Sequence, residues 1–320
     1  MRIAVDAMGG DSAPGAVVEG AIESLPLLNG LDVVLVGNEK QIEAAARRLG
    51  GLPDRITVHH ASQVVLMDDK PVEAVRRKRD SSIARCVDLV AKGEAAGLVS
   101  AGNTGAVVAH ATLKLGLLEG AKRPGIGVAM PSLTGSTLVI DCGANVKCTP
   151  EHLYHYGVMA SAYCKDVYGK KKPKVGLLNI GEEEIKGTKL VRGAAERFQE
   201  SPLNYIGYIE GRDVFTGAAD VVVCEGFVGN VLLKVSEGLA ETILKMLKDA
   251  FQRTLRRRIG AKLLEYAFRE LAARVDCREH GGAPLLGVNG NCVIAHGGSD
   301  SRAIANAIRS AAEAAAYHVN

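Results

Sequence analysis

Five short apolar runs in this 320-residue chain each end in a tight cluster of Gly, Asn, Asp or Glu, and a helix-like segment follows most of them. They are IAVDAMGGD from Ile3, LVSAGNTG from Leu98, LVIDCGAN from Leu138, LLNIGEEEIKG from Leu177 and VVVCEGFVGN from Val221. Glycines let backbone N–H groups close on an anion, and helix N-termini favour negative charge there. The side chains beside them are uncharged amides, a hydroxyl, a few carboxylates and one or two lysines. That inventory suits a small phosphate-like substrate, and the chain reads as an enzyme.

Such loops act together only if a scaffold gathers them. In an open parallel sheet, ligands bind outside the carboxyl ends of the strands, so the five clusters are expected to meet there. Strand patterns fall at 2–6, 31–36, 55–60, 96–100, 174–179, 204–209 and 219–224. Between them lie helical patterns at 14–28, 40–49, 72–79, 82–92 (with Ser81 as its cap), 105–115, 150–168 and 189–198. Two adjacent strand patterns, 125–130 and 136–140, are joined by PSLTG and read as a hairpin, which makes the sheet mixed. The alternation predicts a Rossmann-like α/β fold with a mostly parallel sheet and right-handed crossovers, built as one catalytic domain over 1–320 or as two lobes.

Residues 231–274 break the alternation. They carry only helical sequence, interrupted near Gly260, and form a predicted projecting insertion in which Leu247, Phe251, Leu255, Ile259 and Leu263 recur every fourth residue. Between Lys245 and Glu279 there are ten Lys or Arg against five Asp or Glu, with Arg256, Arg257 and Arg258 at the expected bend. One reading is a helical pair packed on the core with a solvated charged face. The other is a basic amphipathic element that lies on anionic lipid or docks an acidic partner.

The missing signatures narrow the chemistry. No Gly-x-Gly-x-x-Gly follows the first strand, no Gly-x4-Gly-Lys-Ser/Thr occurs, and no Gly-x-Ser-x-Gly elbow is present. His152 and His155 lack the glutamate of a zincin pair, so no metal site is assigned. Net charge is +3, aromatics make up 4% and Trp is absent, which argues against nucleic-acid binding. Seven cysteines without a Cys-x-x-Cys fit buried thiols in a reducing cytoplasm. A strand pattern begins within two residues of Met1, which leaves no room for a signal peptide, and no apolar stretch approaches the roughly 20 residues that span a bilayer.

Six ordered blocks carry a resemblance: AVDAMGGD from Ala4, SAGNTGA from Ser100, DCGAN from Asp141, LNIGEE from Leu178, GFVGNV from Gly226, and GGAPLLG from Gly281 followed by His296-Gly297. Together they resemble the bacterial phosphate acyltransferases of phospholipid synthesis. The resemblance implies transfer of a fatty acyl group from acyl carrier protein to inorganic phosphate. It also implies a fold similar to phosphotransacetylases and isocitrate-dehydrogenase-like enzymes, a homodimer, and no cofactor. By the same route the enzyme would be cytoplasmic, peripheral on the inner face of the cell membrane, with a downstream membrane glycerol-3-phosphate acyltransferase as a candidate partner. Glu225 stands where the family usually has Asp, and His280 where it usually has Tyr.

That chemistry matches the inventory. Phosphate is already a nucleophile, so the protein must hold it against a thioester carbonyl and stabilise the oxyanion. Asn179, Lys186, Glu225 and Asn230 are the catalytic candidates. Asp6, Gly9, Gly10, Ser100, Asn103, Thr104, Asp141, Asn145, Lys234 and His296 are the candidates for binding phosphate or the acyl donor, and Arg256, Arg257 and Arg258 for membrane or carrier-protein contact. Each has a structural counterpart: the aspartates as loop caps, Asn103 and Asn145 as turn residues, Lys234 as a solvated helix residue. Rival functions are an isocitrate-dehydrogenase-like oxidoreductase, a non-catalytic membrane or carrier adaptor, and a short-chain phosphotransacetylase.

Overall fold

The computed structural model describes residues 1–275 and 281–317. Its first half is a run of strand–helix units: β1 (Arg2–Asp6), α1 (Gly15–Ser24), β2 (Asp32–Gly37), α2 (Glu39–Arg48), β3 (Ile56–His60), α3 (Pro71–Arg77), α4 (Ser82–Ala91), β4 (Gly97–Ser100) and α5 (Thr104–Lys114). The hairpin β5 (Gly125–Ser132) and β6 (Gly135–Ile140) follows, then α6 (Pro150–Asp166), β7 (Lys174–Leu178), α7 (Lys189–Gln199), β8 (Asn204–Ile209) and β9 (Val221–Val223). A helical stretch of α8 (Gly226–Gln252), α9 (Leu255–Leu263) and α10 (Glu265–Val275) precedes β10 (Ala283–Leu286), β11 (Asn291–Ile294) and α11 (Ser301–Ala316). The helix starts are set by side chains that accept orphan N–H groups: Asn38, Ser81, Thr188 and Asp300 cap α2, α4, α7 and α11.

Among the described residues the strands form one eleven-stranded sheet in the order β3-β2-β1-β4-β11-β10-β5-β6-β9-β7-β8. Ile3, Val5, Val33, Leu35, Val99 and Val293 face the α1 and α11 side with no more than 1% exposure. Burying each such branched side chain contributes roughly 1.5–3 kcal/mol. The hairpin is antiparallel as its spacing predicts. β10 is also antiparallel to both neighbours, β11 and β5. These reversals divide the sheet into β3, β2, β1, β4 and β11 running one way and β6, β9, β7 and β8 running the other.

The division corrects the expectation that all five loops gather together. The carboxyl ends of β1, β4 and β11 lie on one edge, and those of β6, β7 and β9 on the opposite edge. The break in the helical segment also differs: Gly260 lies inside α9, and the chain turns between Gln252 and Leu255 and again at Leu264. Arg256, Arg257 and Arg258 therefore occupy the first turn of α9. β10, β11 and α11 escape the sequence pattern altogether. His280 lies outside the described residues.

His110 on α5 is 1% exposed, and among the described residues neither ring nitrogen has a hydrogen-bond partner. Burial lowers its pKa from the ordinary 6.5 to about 4, with Lys114 adding to the effect and Asp88 opposing it. Between those two pH values the unfolded chain binds more protons than the native one, so stability falls as pH drops from 6.5 towards 4. At about 1.4 kcal/mol per unit, this imidazole contributes on the order of 3–4 kcal/mol across the window. Urea midpoints at pH 7 and pH 4.5 should differ less in His110→Leu than in wild type.

Candidate active site

The edge at β1, β4 and β11 is organised by Asp6, whose side chain is 2% exposed. Its carboxylate accepts from the Met8 N–H at 3.1 Å and the Ser100 hydroxyl at 2.7 Å, and Ser100 Oγ in turn accepts from the Gly102 N–H at 3.1 Å. Burial raises the Asp6 pKa, opposed by the Ser100 hydrogen bond and its other donors. A β-carbon at Gly9 would fall 2.5 Å from Asp6 Oδ2 and 2.6 Å from the Gly102 nitrogen, so the first two loops close only over a glycine. Gly10, at φ +100, sits against the Gly297 carbonyl, which accepts from the Asp11 N–H at 2.8 Å. Asn103 caps α5 by accepting from the Ala106 N–H and donates from Nδ2 to the carbonyls of Leu66, Met67 and Asp69, each at 3.1 Å. Thr104 is the first residue of that helix.

The opposite edge is organised by Asp141, which is fully buried and accepts from the N–H groups of Ile126, Ala144 and Asn145 at 3.0, 2.9 and 2.7 Å. Burial raises its pKa while those donors oppose the rise. Asn145 spends its own amide on the Pro124 carbonyl and the Tyr156 hydroxyl. Its carbonyl accepts from the Gly226 N–H at 3.0 Å, which docks the first turn of α8 on this loop. Glu225 caps α8 through the N–H groups of Phe227 and Val228 at 2.7 and 3.1 Å. The extra methylene relative to Asp therefore still reaches the helix end.

On the neighbouring strand, Asn179 follows β7 and donates to the carbonyls of Gly181 and Lys186, closing an exposed turn. Within it Lys186 pairs with Glu183 at 2.7 Å, and Lys186 in return holds the Glu183 carboxyl below its usual range.

The two edges are joined by α8. Gly226 lies at one edge, and Lys234, eight residues on and so about 12 Å along the axis, reaches the other. There its Nζ lies 2.9 Å from His296 Nε2 and 3.0 Å from Glu237 Oε2. Leu232 and Leu233 pack this part of the helix on the core. Asn230 is one turn before Lys234 on the same face; its exposed side chain rests against Gly143, and its amide makes no hydrogen bond among the described residues. The structure thus brings Asn230, Lys234 and His296 into one line. It sets Asp6, Ser100, Asn103, Asp141 and Asn145 behind them as loop anchors, and leaves Asn179 and Lys186 on the adjoining turn. Nothing in the sequence pattern marks the Leu66, Met67 and Asp69 carbonyls, and the i,i+3 spacing from Lys234 is the one visible signal of Glu237.

The family profile described as "Fatty acid synthesis protein" matches residues 1–320. The chain is 49% identical over 314 residues to a phosphate acyltransferase of Desulfitobacterium hafniense, covering 98% of this chain and 93% of that one. It is 49% identical over 317 residues to a phosphate acyltransferase of Anaeromyxobacter dehalogenans, covering 99% and 87%. The chain belongs to the phosphate acyltransferase family. It is an enzyme of fatty acid and phospholipid synthesis. Its fold is similar to that of EutD phosphotransacetylase from Staphylococcus aureus, with TM-score 0.65 and 18% identity over 98% of this chain and 94% of that one. It is also similar to 4-hydroxythreonine-4-phosphate dehydrogenase from Klebsiella pneumoniae, with TM-score 0.56 and 12% identity over 98% and 99%. The expected family and fold are therefore both found.

The seat of α8 can be tested directly. A β-carbon at Gly229 would overlap the Asp141 carbonyl oxygen, whereas one at Gly238 on the same helix meets nothing within 4 Å. Gly229→Ala should destabilise by about 1–3 kcal/mol or more through overpacking and lose transferase activity. Gly238→Ala should gain up to about 1 kcal/mol from helix propensity. Thermal melts and turnover of the two variants check both.

Proposed function

We propose that the enzyme transfers a long-chain fatty acyl group from acyl carrier protein to inorganic phosphate, forming an acyl phosphate. A phosphate oxygen attacks the thioester carbonyl, a C–O bond forms, and the tetrahedral intermediate collapses with loss of the pantetheine thiolate. The observation that carries this reading is the alignment of Asn230 and Lys234 on one face of α8, ending at His296. It offers neutral and cationic donors along a surface that no carboxylate of the loop anchors faces. Lys186, on its exposed turn, supplies a second cation for the developing oxyanion, and Asn179 positions it by holding the turn. Glu225 and Asp141 fix the start of α8. Asp6, Gly9, Gly10, Ser100, Asn103, Thr104 and Asn145 hold the walls of the donor and phosphate sites.

The remainder of α8 with α9 and α10 fits a docking role. These helices make their main contacts with one another, and Leu255, Leu263 and Tyr266 are 71%, 82% and 82% exposed beside Arg256, Arg257 and Arg258. Among the described residues no helix is long and apolar enough to cross a membrane. A basic surface with exposed apolar side chains suits an acidic carrier protein and the anionic inner face of the cell membrane. We place the enzyme there, in the cytoplasm, as a homodimer that hands its lipophilic product to a membrane glycerol-3-phosphate acyltransferase.

Phosphate-dependent loss of the acyl group from acyl carrier protein tests the reaction, and acetyl-CoA as alternative donor separates it from short-chain phosphotransacetylation. Losing one donor to the oxyanion typically costs about 3–4 kcal/mol. Lys186→Ala and Asn230→Ala should therefore each slow turnover a hundredfold or more with unchanged melting temperature. Wild-type rates in either would remove that residue from the site. Replacing Arg256, Arg257 and Arg258 with Glu should weaken binding to anionic vesicles and raise the KM for acyl carrier protein at low salt, while small acyl donors react normally.

A further inference from the structure

The contact between Lys234 and His296 holds a hydrogen-bonding conflict that no other described residue resolves. The Gly298 N–H donates to His296 Nδ1 at 3.1 Å. Nδ1 therefore keeps its lone pair, and in the neutral ring the proton sits on Nε2. That Nε2–H faces Lys234 Nζ at 2.9 Å, and an ammonium has three donors and no acceptor. Two donors thus meet at hydrogen-bond distance. Glu237 Oε2 takes one ammonium proton at 3.0 Å but reaches no nitrogen of the imidazole. Asp11, on the loop docked against Gly297, hydrogen-bonds through its side chain to neither partner.

We infer that the acceptor this pair lacks is an oxygen of the substrate phosphate, which takes the His296 Nε2–H and a Lys234 ammonium proton together. The inference rests on the acyl-transfer reading and divides the line of donors by role. Phosphate sits at the His296 end of α8. Asn230, one turn (about 6 Å) nearer the helix start, is left to receive the thioester carbonyl oxygen. The backbone supports the placement, because the Gly298 N–H locks the tautomer that points a proton outward. The Gly10–Gly297 packing fixes the loop that carries the ring. Charge-assisted donation from Lys234 adds strength, while the neutral imidazole N–H adds direction.

The test separates a phosphate donor from a merely structural histidine. His296→Asn keeps an acceptor for the Gly298 N–H but loses the outward donor. His296→Gln places an N–H near the ε position and does not restore the inner acceptor. With full-length enzyme, His296→Asn and Lys234→Met should raise the KM for phosphate at least tenfold and leave the KM for the acyl donor within twofold. They should also abolish the rise in melting temperature that inorganic phosphate produces over chloride of equal ionic strength. His296→Gln should recover part of both phosphate readouts, and Lys234→Gln replaces the Met variant if that fails to fold. An unchanged KM for phosphate in His296→Asn, or a Gln variant worse than Asn, overturns the assignment. If the wild type transfers acyl groups and the variants keep their phosphate response, the site assignment fails and the reaction stands. If phosphate protects through His296 and Lys234 yet no acyl transfer occurs, the reaction fails instead.

Discussion

The buried carboxylate of Asp141 is the point from which the site is built. Three backbone N–H groups, from β5 and from its own turn, converge on it. A buried anion without them would carry the full desolvation penalty, whereas with them it becomes a rigid hub. The turn it holds is the surface on which α8 starts, and the glycines at 226 and 229 let the helix backbone come into contact with that turn. A helix is stiff, so its direction is set there. Lys234 meets His296 two turns later because of the angle fixed at Asp141. A loop spanning the same distance would carry no such precision.

Asp6 repeats the device on the other edge. Asp6 is the last residue of β1 and Asp141 directly follows β6; each is buried and ties its own turn to a neighbouring strand, Ser100 for Asp6 and Ile126 for Asp141. Both carboxylates are turned inward and saturated with donors. This settles an electrostatic difficulty in any phosphate site framed by acidic residues. The negative charges do their structural work behind the loops, where their interactions with backbone dipoles are strong. The face proposed for the substrate presents an amide, a lysine and an imidazole, with Glu237 as the one carboxylate paired to that lysine.

Local patterns carried most of the fold. The β-branched runs became the strands, Ser81 capped α4, and the PSLTG link closed a hairpin. What the patterns did not carry is direction. Whether two strands point the same way is decided by pairings far apart in sequence, such as Leu285 with Ile126. β10 and β11 are only four residues each and show too little periodicity to register, so the reversal at the centre of the sheet was invisible. The candidate residues were legible because Asn and Asp after an apolar run are uncommon without a reason. Their division into anchors and exposed donors was not, since it depends on which N–H each side chain meets. Asn103 illustrates the limit: its cap on Ala106 is three residues away, but its three carbonyl partners are more than thirty away.

The described cysteines support direct attack by phosphate over an acyl-enzyme route. Cys86, Cys142, Cys164, Cys224 and Cys292 are buried, and burial pushes every one of these thiols upward, Cys164 and Cys292 to about 12. The thiolate is the nucleophile, so a thiol held protonated at neutral pH offers no attacking group. Cys148 is more open, yet burial raises it as well, and its sulfur is engaged with the Asn145 carbonyl. With no activated thiol among these cysteines, the proposed direct attack would lower the barrier by placement. Holding two reactants in attack geometry supplies roughly 7–11 kcal/mol of what a bimolecular reaction in water lacks. That route places its demands on the rigidity of the scaffold, and a helix seated on a buried carboxylate and ending its second turn at a tautomer-locked histidine meets them.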